Sequence, residues 1–340
     1  AAFADAFVAK YLPSGDVEWV RIGGGTSLDR GHGVAVDGEG NAFTTGFFRA
    51  TATFDPRTLV SVGRDDIFLV KYDTDGNVLW ARRAGGPGDD AGWGVATNAA
   101  GDRVAVTGYF QSSADFSGNT LATSSNADIF VALYDGSGML QWVRQAGAAD
   151  DYDDEGLDVA ITSSGDVIVS GVFEERSVFE TTELIGTEDE EGFVARYTAG
   201  GDLDWVTHFT GEGDEWVAAV AVSATDEIYV GGGFGQTLSV GDSTRVKPEA
   251  NADAYVASLD DGGDLVWLRQ IGGRLRGEIR SLTADLSGFA VACGDFQGDI
   301  EFPEVTFSHQ GGTDIFVAAY SRWGCLLYTS DAADESSGVV

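Results

Sequence analysis

Cysteine, methionine, histidine, proline and lysine are all scarce here. The 340 residues hold two Cys, one Met, three His and five Pro, and the only lysines are Lys10, Lys71 and Lys247. Two Cys exclude a disulfide framework. One of them, Cys293, precedes Gly294 where related stretches carry Thr, Ser or Gly, and reads as a buried structural thiol. His32, His208 and His309 stand in unrelated contexts. No Gly-x-Ser-x-Gly, His-Glu-x-x-His or phosphate-loop pattern occurs, so enzyme chemistry has little support. The longest apolar runs are strand-sized, too short for a transmembrane helix. No signal peptide is visible. Positive charge is short as well: 20 basic against 55 acidic residues leave a net charge of −35. That charge repels phosphate backbones and anionic membranes, and so disfavours both as partners. It equally fits solubility, or a salty or calcium-containing surrounding.

What is present is a repeat. An acidic residue followed by a strand-like stretch begins at Asp5, Asp66, Asp128, Glu191, Asp253 and Asp314, giving periods of 61, 62, 63, 62 and 61. A fixed period built of strand-like units predicts a repeat architecture. Each period holds four such stretches. Around Trp80 these are Ile67 to Tyr72, Val78 to Arg82, Gly94 to Thr97 and Val104 to Phe110. Tight Asp/Asn/Gly turns separate the first from the second and the third from the fourth. A longer loop, Gly85 to Gly92, joins the second to the third, and a polar stretch, Gln111 to Ala127, leads to the next copy. Short, evenly spaced strands with Gly-rich turns read as all-β.

Trp19, Trp80, Trp142, Trp205 and Trp267 stand in register on the second stretch. A binding stripe is one reading; a packing anchor between neighbouring units is the favoured one, since Trp buries a large area. The third stretch carries Ala35, Ala96, Ala160, Ala221 and Thr283 at one position, as an innermost strand would. Four strands per unit around an axis make a β-propeller blade. Expected are a partial blade at 5–21, full blades at about 31–83, 92–145, 157–208 and 217–270, and a partial blade at about 279–324. The chain then reads as a piece of a larger propeller. Residues 325–335, Cys-Leu-Leu-Tyr-Thr-Ser-Asp-Ala-Ala-Asp-Glu, resemble the translation of a transposase-type sequencing adapter. The stretch 325–340 is accordingly set aside as a non-native tail.

Asp-x-Phe-Val-Ala-Lys-Tyr, the Trp in register, Val-Ala-Val-Asp-x-x-Gly-Asn and Thr-Gly-x-Phe recur together in one order. The set resembles the SBBP family of β-propeller repeats. The resemblance covers residues 5 to about 324 and implies a secreted or cell-surface bacterial repeat protein with a binding or structural role. It implies no shared catalytic residues. Adjacent blades of the parent protein would be its immediate partners.

Function usually sits on variable loops carried by a rigid scaffold. The long loops are acidic, with Trp93, Tyr152 and Trp216 among the carboxylates and Arg274 and Arg276 in the last junction. Aromatic faces and carboxylates suit a carbohydrate or a cationic protein ligand; a merely solubilising surface is the alternative. Calcium is a possible cofactor. The run Asp150, Asp151, Asp153, Asp154, Glu155 is one candidate site, and Asp73 with Asp75 places oxygen ligands at alternating positions. Ordinary hairpin-turn chemistry accounts for Asp73 and Asp75 equally well. The expected function is a non-catalytic extracellular binding or scaffolding module. The alternative is a propeller hydrolase or lyase with carboxylates at the channel mouth.

Overall fold

The computed structural model describes residues 3–123, 126–148, 152–246, 252–273, 275–285, 287–302, 305–309 and 311–331. Every regular element among them is a β-strand. The chain divides into two compact units. The first comprises Ala1–Ile161, Ser177–Thr181 and Ala199–Asp202; the second comprises Thr162–Arg176, Thr182–Thr198 and Leu203–Val340.

In the first unit, Ala6–Tyr11 pairs with Val17–Gly25. Two four-stranded antiparallel sheets follow. One runs Asp29–Val36, Ala42–Phe54, Arg57–Tyr72, Val78–Ala84. The other runs Ala91–Thr97, Arg103–Phe110, Asp128–Asp135, Leu140–Gly147. The second unit contains the same pattern in Glu215–Val222, Ile228–Phe234, Asp253–Leu259, Leu265–Gly273, and again in Gly277–Ala284, Ala290–Phe296, Asp314–Tyr320, Leu326–Asp331. It also contains the pair Thr182–Tyr197 and Leu203–Phe209. The periodic strands within the sheets from Asp29 to Gly147 are almost wholly buried from the acid onward: Phe68, Val70 and Tyr72 in one sheet, Phe130, Ala132 and Tyr134 in the next. Burial on both faces is why they read as continuous apolar runs.

Sequence makes the turns directly. Asp73 accepts from the backbone N–H of Asp75 and Asn77 at 3.0 and 2.7 Å, and from the Asn77 amide at 2.9 Å. Asp37 holds the other tight turn through Glu39 and Asn41 in the same way. Each side-chain carboxylate thus satisfies turn donors the strands cannot reach.

The Trp series anchors these turns, so packing accounts for the stripe. The indole N–H of Trp19, Trp80, Trp142, Trp205 and Trp267 donates to the carbonyl of Thr74, Gly136, Ala199, Asp261 and Arg322 respectively, at 2.9–3.1 Å. Two residues on, Arg21, Arg82 and Arg269 donate through Nε to Gly76, Gly138 and Gly324 at 2.7–2.8 Å. Each sheet therefore grips the turn of the next. Gly138 has φ 76°, and a Cβ there would lie 3.0 Å from the Trp80 ring. Glycine is required on both counts.

The stretch leading into each acidic residue is not an open loop. Ala42–Phe54 and Arg57–Tyr72 stay paired as far as Phe54 and Arg57, so the connection is a long hairpin. Shorter versions are Ser113–Phe116 with Asn119–Ala122, and Thr237–Val240 with Ser243–Val246. Each hairpin also joins the preceding sheet, as Gly24 with Thr53 and Gly272 with Glu301 show. Its aromatic tip is buried: Phe54 lies 4.8 Å from Phe68, and Phe116 5.0 Å from Phe130.

Residues 326–331 pair with Asp314–Tyr320 in the register of the earlier sheets, with Tyr328 at the Trp position. One expectation differs from the structure. Cys293 is exposed, not buried. Its counterparts Thr45 and Thr107 are buried because Gly92 and Gly156 of the following inner strands lie directly over them. No strand covers Cys293 among the described residues.

Carboxylate pairs and inner-strand bulges as the candidate functional site

Two carboxylate positions recur at one end of the sheets. The first opens the periodic strand: Asp66, Asp128, Glu191 and Asp253, all buried. The second precedes or opens the inner strand of the next sheet: Asp29, Asp90, Asp154 and Glu215, also buried. Gly277 takes that second place in the last sheet, with Glu278 buried one residue further on. The two positions meet. A Cβ at Gly85 would lie 2.9 Å from Asp90 Oδ2 and 3.0 Å from Asp66 Cγ. Asp5 and Asp29 flank Gly24 alike, at 2.6 and 2.9 Å.

Buried charge needs partners. Asp66 receives Arg83 at 2.6 Å and the Val62 N–H at 3.1 Å. Gln145 and Gln270 occupy the place of Arg83 and donate to Asp128 and Asp253 at 2.5 and 2.7 Å. His208 takes that place opposite Glu191, with Nε2 3.2 Å from Oε2 but without the alignment of a hydrogen bond. Asp90 accepts from the N–H of Gly86 at 2.7 Å and of Gln111 at 3.1 Å. Burial still pushes its carboxyl up to about 7, against those donors and with help from Asp66 and Asp89. Glu215 has no partner at either oxygen. Burial first, then Glu191, Asp214 and Asp189, push it up to about 9.

Just beyond the second carboxylate the inner strand bulges. The register shifts between Gly31 and Gly33, Gly92 and Gly94, Val217 and Ala219, and Ile279 and Ser281. The extra residues are His32, Trp93, Ala218 and Arg280. A bulge re-aims its side chain out of the sheet's alternation. In the first unit two bulges meet: the His32 imidazole stacks on the Trp93 indole at 4.0 Å and 18°. His32 Nδ1 bonds the Gly92 carbonyl at 3.1 Å, and burial lowers its pKa, so it is neutral at pH 7. Phe47 closes on His32 at 5.5 Å, and Tyr109 lies 6.5 Å from Trp93. Burial, then Glu155, Asp89, Asp65 and Asp90, raise Tyr109 to about 12. Trp93 Nε1 is buried without a hydrogen-bond partner.

The sequence-derived candidates fare unevenly. Trp93 gains His32. Trp216 gains Arg276, whose guanidinium sits 5.7 Å from its ring while also holding Glu278 at 2.7 Å. Tyr152 is half-buried. Asp150, Asp151 and Arg274 lie outside the described residues. Asp153 is exposed, Asp154 is one of the buried carboxylates, and Glu155 is half-buried beside it, so the acidic run divides by role. Asp73 is spent on its turn, and the Asp75 carbonyl accepts from Arg21 at 2.7 Å. Among the described residues no three His, Cys or acidic side chains are arranged to hold a metal ion. Composition hid the carboxylate pairing among 55 acidic residues. Spacing exposes it: 66 to 90 and 191 to 215 are both 24, while 66 to 83, 128 to 145, 191 to 208 and 253 to 270 are all 17.

Residues 18–46, one Trp strand through the next Thr-Gly strand, match the family model described as SBBP, beta-propeller repeat. The regulatory protein FlaEY of Caulobacter vibrioides is 28% identical over 142 residues, which are 41% of this chain and 14% of that protein. An uncharacterized WD repeat-containing protein, L264, of Acanthamoeba polyphaga mimivirus is 32% identical over 111 residues, 31% of this chain and 8% of that protein. The chain thus spans only a small part of either relative's length. A Bacteroides caccae protein of unknown function, solved at 1.35 Å, superposes with TM-score 0.47 at 11% identity, covering 94% of this chain and 86% of its own; the likeness is too slight to carry an argument. The family that the recurring motifs resemble is the one whose model matches residues 18–46.

Proposed function

We propose that the chain is a non-catalytic interaction module of propeller blades, recognising a protein or carbohydrate partner outside the cell through the end of the sheets that carries the bulges and carboxylates. One observation carries this reading: the bulged His32–Trp93 stack beside Tyr109, whose hydroxyl feels the charges of Glu155, Asp89 and Asp65, with the indole N–H left unbonded. Aromatic rings beside carboxylates suit a sugar ring or a cationic side chain. The names of the two relatives, one regulatory and one WD-repeat, fit a module that acts by binding. A hydrolase or lyase needs perturbed carboxylates that reach a substrate. Asp90 and Glu215 are perturbed, but both are wholly buried. Glycan and basic-peptide arrays probed with the chain and with Trp93→Ala test the reading. Binding by the wild type that Trp93→Ala abolishes supports it; unchanged binding by the variant overturns the assignment of the site.

A further inference from the structure

Glu191 and Glu215 differ from every other carboxylate pair in the described fold. Both side chains are fully buried. Glu191 Oε1 accepts from the N–H and hydroxyl of Thr187, each at 3.1 Å. Its other oxygen faces His208. Neither oxygen of Glu215 meets a donor. The equivalent Asp29 and Asp90 each accept two backbone N–H groups. Glu215, one methylene longer, misses such donors. It opens the inner strand Glu215–Val222, packed against the start of Thr182–Tyr197: a Cβ at Gly192 would lie 2.9 Å from a Val217 methyl. The pair therefore sits at the seam between two adjacent sheets of the second unit.

Two ionised carboxylates cannot share a dry seam without a cation. We propose that Glu215 is a proton-operated latch beside Glu191: its protonated carboxyl keeps the seam shut, and loss of that proton opens the start of the inner strand Glu215–Val222.

The groups facing the pair are known. Asp189 precedes Glu191 on its own strand and Asp214 precedes Glu215, and both oppose a second negative charge; Glu190 is itself raised by burial and then by Asp214 and Glu174. His208 lies across from Glu191, and the Thr210 and Thr187 donors join it in lowering Glu191 despite its burial. Tyr255 comes from the neighbouring strand and is itself raised by burial and then by Glu215. Arg276 faces Glu190. The stable arrangement is accordingly Glu191 ionised and Glu215 protonated. Opening is a deprotonation: a base in the buffer takes the Glu215 proton, and the new carboxylate is expelled toward water. The sign follows from linkage. A carboxyl whose folded pKa is raised contributes stability fully present below its unfolded value of 4.5 and lost as pH climbs through about 9. Within that window each pH unit shifts the opening equilibrium by about tenfold.

Carbon-13 NMR of labelled glutamate carboxyls in the unmodified chain tests the latch directly. The expected result is one Glu titrating far above the ordinary carboxylate range. If every Glu finishes titrating below about pH 6, the latch does not exist. Hydrogen exchange from pH 6 to 9.5, corrected for base catalysis, supplies the second arm. Protection at 187–193 and 214–219 should fall by at least about tenfold in the wild type and stay level in Glu215→Gln, which keeps the shape without the charge. Equal pH dependence in both proteins would overturn the assignment even if a high-pKa Glu is found.

Discussion

Single residues in this protein are tuned by burial more than by contact. Asp90 shows the sign of the effect. Its pKa is raised to about 7, so its contribution to stability is complete below 3.8 and is lost as pH rises through about 7. Asp90→Asn should therefore gain stability relative to wild type at pH 8, by on the order of 1–3 kcal/mol, and little at pH 4. Urea midpoints at the two pH values measure this; a variant weaker at pH 8 would mean that the donors at Gly86 and Gln111 outweigh the buried charge. Asp66 behaves differently because Arg83 stands against it at 2.6 Å. Arg83→Gln copies the Gln145 and Gln270 arrangement, and so should fold with Asp66 shifted further upward. A carboxyl titration of Asp66 lower than in wild type would contradict that.

At the scale of the element, what matters is how one sheet holds the next. Trp80 and Arg82 grip the turn at Gly136 and Gly138, and the hairpin tip Phe116 covers Phe130. Phe116→Ala should cost about 3–4 kcal/mol by cavity formation. Gly138→Ala, at φ 76° against the indole, should cost about 1–2 kcal/mol. Denaturant melts rank them; a neutral Gly138→Ala would show that the turn is not gripped. Much of this was legible. The Trp register, the Asp-x-x-Gly-Asn turns and the acidic start of each period all read directly, because local chemistry at a fixed spacing dictates them. The hairpins did not read, since Gln111 to Ala127 looks polar throughout and alternates only weakly. Yet Phe54, Phe116 and Phe179 stand one period apart, with Phe302 two periods further on, and would have marked them. The His32–Trp93 stack was not legible either. It depends on bulges that bring two residues 61 apart face to face, and a bulge leaves no mark on composition.

For the whole molecule, a net charge of −35 sets the background. Self-repulsion at that charge should be relieved by salt. The melting temperature is expected to rise from 10 to 150 mM NaCl; a fall would place the dominant electrostatics in specific ion pairs. Calcium tests a separate question, the acidic run around Asp153: a rise in melting temperature reversed by chelator would make that run a metal site, and no shift would leave it as surface. The central claim is a division of labour between tryptophans that hold sheets together and one that binds. Trp142→Ala and Trp93→Ala, compared by thermal melting and by array binding in parallel, test it most directly. The expected result is that Trp142→Ala melts about 5 °C or more lower while keeping its ligand below that temperature, and that Trp93→Ala melts near wild type and loses the ligand. Trp93→Ala melting as low as Trp142→Ala, with binding retained, would make both of them scaffold.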